Sequence, residues 1–205
     1  IAAGENKVMV ACCGNGSNVL ASNFSVPVSI KRLEVPSIER IVRDNNGTLI
    51  CSTVGGATGY SLYFDGNLDN AFRDQGTVNN VYSFIGTSGT TLAVVAEANY
   101  YNADRTQYFM SSARSATKTF IKLKAPQFTD GSLANSKELV WNAPTNVDRP
   151  NVAISYEVFD GDIAMGTGLV TGCKCNLTGL KAGDHNMSVR AIGDGTRYVD
   201  SDISS

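Results

Sequence analysis

The stretch "VMVACCGNGSNVLASNFS", residues 8–25, lies without a gap on "MSVRAIGDGTRYVDSDIS", residues 187–204. Val10 falls on Val189, Gly14 on Gly193, Gly16 on Gly195, Ser22 on Ser201 and Ser25 on Ser204, five identities in eighteen positions. Asn15 with Asp194, Ser17 with Thr196, Asn23 with Asp202 and Phe24 with Ile203 exchange like for like. Such self-similarity implies one structural unit used more than once.

A second match gives the repeat length. "SNFSVPVSIKRLEVPSI" (22–38) lies on "SARSATKTFIKLKAPQF" (112–128) at an offset of 90, with Ser22 on Ser112, Ser25 on Ser115, Leu33 on Leu123 and Pro36 on Pro126. The same offset puts Leu49 of "TLICST" on Leu139 of "ELVWNA", and a slightly larger one puts "LAVVAEA" (92–98) on "MSVRAIG" (187–193). The chain is therefore expected to divide into 1–34, the closing hairpin of a repeat whose earlier strands lie upstream, a full repeat at 35–124 and another at 125–205. Ile1, with neither a preceding Met nor a signal-peptide pattern, reads as a start inside a longer protein.

Within the repeats apolar positions alternate and turn residues recur at short intervals, the pattern of half-buried β-strands. Strands are expected at 48–53, 59–65, 81–85, 91–98 and 110–121, then at 137–142, 152–160, 163–170, 173–177, 185–192 and 198–204. No stretch has the length and apolar stripe of a core helix; "DNAFRDQG" allows a single turn. With 42% hydrophobic residues, 18% charged residues and 20 glycines, 205 residues can bury proper cores between many turns. A net charge of −2 without any Lys/Arg cluster excludes a nucleic-acid surface. No apolar run approaches the ~20 residues of a membrane-spanning helix.

"KELVWNAPTNVDRPNVAISYEVFDG" and "CNLTGLKAGDHNMSVRAIGDG" resemble a fibronectin type III domain or a close immunoglobulin-like relative. Trp141 sits where such domains place a core Trp on the second strand, and Tyr156 where they place a Tyr on the third. Cys51 stands at the Trp position of the middle repeat, and His185 or Asn186 replaces the Tyr that anchors the corner in these domains. The resemblance implies an all-β fold of tandem immunoglobulin-like (fibronectin type III-like) antiparallel β-sandwiches, about 90 residues each, joined into a rod. The short, Pro-bearing junctions "RLEVPSI" and "KLKAPQF" restrict how neighbouring domains orient.

Catalytic chemistry is not expected. The one histidine, His185, stands beside Asp184 without an evident nucleophile, and its simpler role is to cap or pack a strand start. The cysteines Cys12, Cys13, Cys51, Cys173 and Cys175 lack zinc-site spacing and read as free, mostly buried thiols; the alternative is that Cys12 pairs with a missing strand of its own repeat. "DGNLDN" (65–70) lacks the Gly and closing Glu of a calcium loop, and "DGD" (160–162) and "GDGTRYVDSD" (193–202) read first as turns. "GGATG" (55–59) lacks the Lys of a phosphate loop. The five N-x-S/T triplets, at Asn15, Asn23, Asn46, Asn176 and Asn186, do not establish secretion in so Asn-rich a chain. No cofactor or metal is expected.

The candidate contact surface is the loop "NYYNADRTQYF" (99–109), with Tyr100, Tyr101, Arg105, Tyr108 and Phe109, since Tyr/Arg-rich loops are common contact surfaces. These readings lead to a non-enzymatic structural or docking module of a larger protein. The first expectation is a bacteriophage virion component (capsid decoration, head fibre or tail protein), and the alternative a spacer or carbohydrate-binding accessory module of a secreted or surface bacterial protein. Expected partners are other virion or surface proteins within a larger homo- or hetero-oligomeric assembly, or a glycan; nucleic acid and membrane are not.

Overall fold

Alternating apolar residues between Gly-, Asn- and Asp-rich turns leave each segment room for a short strand. A computed structural model of the chain describes residues 1–44, 47–69, 77–78, 85–86, 89–100, 109–129, 137–148, 154–165 and 169–204. Its strands are β1 (Gly4–Val8), β2 (Val28–Arg32), β3 (Ile38–Val42), β4 (Thr48–Cys51), β5 (Gly59–Phe64), β6 (Asn67–Asp69), β7 (Thr77–Val78), β8 (Thr91–Asn99) and β9 (Phe109–Met110). They continue as β10 (Lys118–Lys122), β11 (Gln127–Phe128), β12 (Glu138–Asn142), β13 (Ser155–Asp160), β14 (Ile163–Ala164), β15 (Val170–Thr171), β16 (Lys174–Asn176), β17 (Met187–Ile192) and β18 (Tyr198–Val199). Among the described residues there is no helix, and none long and apolar enough to cross a membrane. The fold is all-β, in several small sheets of the kind that make a β-sandwich.

The chain forms two units. The first comprises Ile1–Ile38, Cys51–Val78 and Val94–Thr117. In it β1 runs antiparallel to β2, and β2 lies parallel to β9 with Lys31 opposite Phe109. β5 turns through Asp65–Gly66 into β6 and pairs on its other edge with Val94–Asn99 of β8. Alternation sorts these two strands: Tyr60, Leu62 and Phe64 are buried, as are Val94, Ala96 and Ala98, while Ser61, Tyr63, Val95 and Glu97 between them are half-buried. Leu33, Val54, Tyr60 and Ala98 form one core cluster.

The second unit comprises Glu39–Ile50, Asn79–Ala93 and Lys118–Ser205. β12 is flanked by β11 and β16, and β13 pairs antiparallel with β14, β15 and β17. Leu123, Leu139, Trp141, Tyr156, Val158, Val189, Ala191 and Tyr198 form its core. Trp141 meets Tyr156 edge to face, with ring centroids 5.3 Å apart. Burial, with the Cys173 thiol 3.5 Å from its oxygen, holds the Tyr156 hydroxyl well above its ordinary pKa.

The repeated serines perform one task three times. Ser22, Ser112 and Ser201 donate their N–H to the carbonyls of Cys12, Ala98 and Ala191, and Ser25, Ser115 and Ser204 donate theirs to Val10, Ala96 and Val189, at 2.8 to 3.0 Å. In a regular ladder the serine carbonyl would accept the return bond. Here the serine Oγ accepts it, from the N–H of Cys12, Ala98, Ala191, Val10, Ala96 and Val189, at 2.9 to 3.1 Å. The hydroxyls of Ser22, Ser25, Ser112, Ser115 and Ser201 each donate onward to the carbonyl of the next residue. Three residues of each Ser-x-x-Ser segment span two of the facing strand, a bulge rather than a ladder.

Several expectations change in detail. The strand expected at 110–121 is two, β9 and β10, because the Ser112–Ser115 bulge interrupts regular pairing between them. For the same reason the strand expected at 198–204 closes after Val199, and that at 163–170 is represented by β14 and the start of β15. In the 81–85 segment Ile85 is buried outside any strand; 81–84 lie outside the described residues, as does 70–76 of "DNAFRDQG". The serine bonds also set the register between β8 and β17, Ala96 on Val189 and Ala98 on Ala191, two residues from the expected "LAVVAEA" alignment.

Ser112 and Ser201 are buried and Ser22 is exposed. Ser201→Ala and Ser112→Ala should each cost about 1–3 kcal/mol by stranding the buried N–H of Ala191 or Ala98, whereas Ser22→Ala, which frees the N–H of exposed Cys12 to turn to water, should cost under about 1 kcal/mol. Urea denaturation of the three variants checks the difference.

Candidate functional site

Twice the chain runs from a Ser-x-x-Ser segment into a further strand that pairs in parallel with a later segment. Lys31 and Arg32 of β2 lie opposite Phe109 and Met110, and the Leu33 N–H reaches the Met110 carbonyl at 3.0 Å. Ninety residues later Ile121 and Lys122 of β10 lie opposite Tyr198 and Val199, and the Leu123 N–H reaches the Val199 carbonyl at 3.1 Å. Each pattern lies within its own unit.

The second unit carries the fuller junction. Asp194 Oδ1 accepts three N–H bonds, from Thr196, Arg197 and Tyr198, each at 2.9 Å. Burial alone would raise the Asp194 pKa; those bonds outweigh it and lower it. Asn15 Oδ1 does the same for Ser17, Asn18 and Val19, so the like-for-like exchange is a shared loop device. Gly193 and Gly14 are glycine because a Cβ would stand 2.2 Å from the carbonyl oxygens of Tyr198 and Val19. Gly195, at φ +70°, accepts the Ile41 N–H at 2.7 Å, and a Cβ on it would come within 2.4 Å of the Ile41 oxygen.

Beside this contact opens a cleft of about 830 Å³, lined by Arg43, Lys122, Glu157, Phe159, Arg190 and the segment Asp200–Ile203. Arg43 pairs with Glu157 and, at 2.8 Å, with Asp200, while Lys122 pairs with Asp202 at 2.5 Å. Asp200 also accepts the Gly193 N–H at 2.9 Å. The Arg190 guanidinium lies 5.4 Å from the Phe159 ring centre. Asn146 bridges the start of the next strand, donating to the Lys122 carbonyl at 2.8 Å and accepting from the Lys124 N–H at 2.9 Å. Ser201 Oγ, the hydroxyl at the cleft, is engaged both as donor and as acceptor. The ion pairs and the engaged hydroxyl brace these segments against one another.

His185 pairs with Asp160, not with its neighbour Asp184: Nδ1 lies 2.6 Å from Asp160 Oδ2 and Nε2 lies 2.8 Å from the Lys181 carbonyl. Both ring nitrogens face acceptors, so the doubly protonated ring fits best; the Lys181 carbonyl and then Asp160 raise its pKa. Within the two acidic turns Asp160 is engaged by His185 and the Asn186 N–H, and Asp194 by its own loop. Among the described residues no three His, Cys, Asp or Glu side chains gather as a metal site would require. Cys12 and Cys13 are exposed, Cys51 is buried, and Cys173 and Cys175 are half-buried.

Of the expected contact loop, Tyr100 and Phe109 stack with centroids 4.3 Å apart and pack against the Leu33–Tyr60 cluster; Tyr101, Arg105 and Tyr108 lie outside the described residues. Arg43, Lys122 and Arg190 went unmarked in the sequence, although the shared offset of 90 between Leu33 and Leu123 pointed at the strand that carries Lys122, and Asp200 lay in the singled-out "GDGTRYVDSD".

No protein-family model matches the chain, and no curated protein matches it. Among solved structures it is similar to one named "Biofilm associated protein - BSP domain", with 15% identity and a TM-score of 0.28 over 84% of this chain and 28% of that one. The chain thus spans little more than a quarter of that structure.

Because a raised His185 pKa contributes stability below about 6.5 that is lost as pH rises through the folded value, its NMR titration midpoint should lie above 6.5. Asp160→Asn should bring it down. Gly195→Ala should cost at least about 2 kcal/mol from the left-handed φ and the clash with Ile41, read by thermal unfolding.

Proposed function

We propose that the chain is a non-enzymatic spacer: tandem immunoglobulin-like β-sandwiches, in repeats at 35–124 and 125–205 preceded by the closing hairpin of another, in an extended surface or secreted bacterial protein. One observation carries this reading, the recurrence at a 90-residue interval of a Ser-x-x-Ser segment that continues into a parallel-paired strand. A chain built so passes tension from one repeat to the next through main-chain hydrogen bonds instead of a slack linker. The Gly195–Ile41 contact and the Arg43 and Lys122 ion pairs support it by limiting rotation at the junction. Nothing found supports the virion placement expected first, and the surface or secreted spacer takes its place.

Pulling single molecules by their ends tests the reading. Unfolding should come in steps that each release some 80–90 residues, about 300 Å of contour at ~3.5 Å per residue. One event that releases nearly the whole chain would sink the tandem reading. Antibody against residues 1–205 should label the exterior of intact producing cells or their medium; labelling of purified phage particles instead would restore the virion reading.

A further inference from the structure

The positions that β8 and β17 bury are bare in the first copy of the pattern. By the serine register Val10 is equivalent to Ala96 and Val189, and Cys12 to Ala98 and Ala191. Those four equivalents are fully buried, whereas Val10 is 67% exposed and Cys12 is exposed. Val19, equivalent to the buried Tyr198 by the loop match, is 55% exposed.

Among the described residues the edge is open as well as the face. β8 pairs with β5 and β17 with β13, but β1 is the outer strand of its sheet. Val10 and Cys12 turn their N–H groups to the serines, so those of Met9 and Ala11 between them point to the opposite edge. In both closed copies the strand on that edge carries a tyrosine and, two residues on, a branched aliphatic residue in the same register. Tyr60 lies opposite Ala98 and Leu62 opposite Ala96; Tyr156 lies opposite Ala191 and Val158 opposite Val189. A small residue on one strand makes room for the ring on the other.

Resting on the repeat reading above, we propose that residues 4–28 are a strand acceptor. Its occupant is a β-strand of the same polypeptide bearing Tyr-x-Leu or Tyr-x-Val, antiparallel to residues 8–12, with the tyrosine opposite Cys12 and the aliphatic residue opposite Val10. Main-chain bonds along Met9 and Ala11 give the pairing its strength, and the tyrosine over Cys12 sets its register. The same polypeptide supplies it because β5 and β13 precede their partners in the chain in both closed copies.

The test is amide exchange of Met9 and Ala11 by NMR, in the chain of residues 1–205 and in one where a copy of residues 125–182 is joined directly to Gly4. The added segment should slow both amides by at least about 100-fold, and Tyr156→Ala in the added copy should undo most of that. Should the longer chain not fold, a peptide of the sequence Ile154–Asp160, added at millimolar concentration to the unmodified chain, gives the same readout. No slowing with either overturns the proposal. Concentration-dependent slowing in the unmodified chain alone also overturns it, because the occupant is then a second copy. Glu97 and Arg190, which face β5 and β13, should stay protected throughout; their loss would count against the repeat reading itself.

Discussion

A serine hydroxyl standing in for a backbone carbonyl is the constraint from which the rest of the architecture follows. A strand that pairs antiparallel with one neighbour and then continues into a parallel pairing with another needs its path offset without orphaned N–H groups. The Ser-x-x-Ser segment meets both needs, because each side-chain oxygen reaches a donor that the bulged main chain no longer can. From there the chain is aimed at the parallel pairing of β2 with β9 and of β10 with β18.

Two kinds of residue made the fold legible in the sequence. Serines and glycines at fixed intervals answer to local geometry, so Ser22 and Ser201, or Gly14 and Gly193, keep their identity while core residues drift. Alternation gave β5, β8, β12, β13 and β17. It could not fix the register of "LAVVAEA", because a slip of two residues leaves the same side chains facing inward, and only the serine bonds distinguish the two alignments. Strands as short as β9 and β18 were overextended because a bulge carries no periodicity of its own.

The junction was harder to read for a different reason. Arg43 and Glu157 are 114 residues apart, and no spacing rule joins them. They meet because β3 and β13 are placed by separate sheets, and only the three-dimensional path brings the Ile41 N–H to Gly195. His185 shows the converse. Its neighbour Asp184 was the obvious partner, yet the strand β13 offers Asp160, and the imidazole bridges that carboxylate and the Lys181 carbonyl.

The bulged serine segments also bear on how such a chain avoids its own neighbours. Sandwiches of similar sequence tethered side by side sit at high local concentration, and a straight free edge on any of them would invite a foreign strand to add on. A segment that advances three residues where its partner advances two presents outward carbonyls at uneven spacing, which a regular strand cannot match along its length. The serine segments that offset the strands thereby also discourage fibrous self-association.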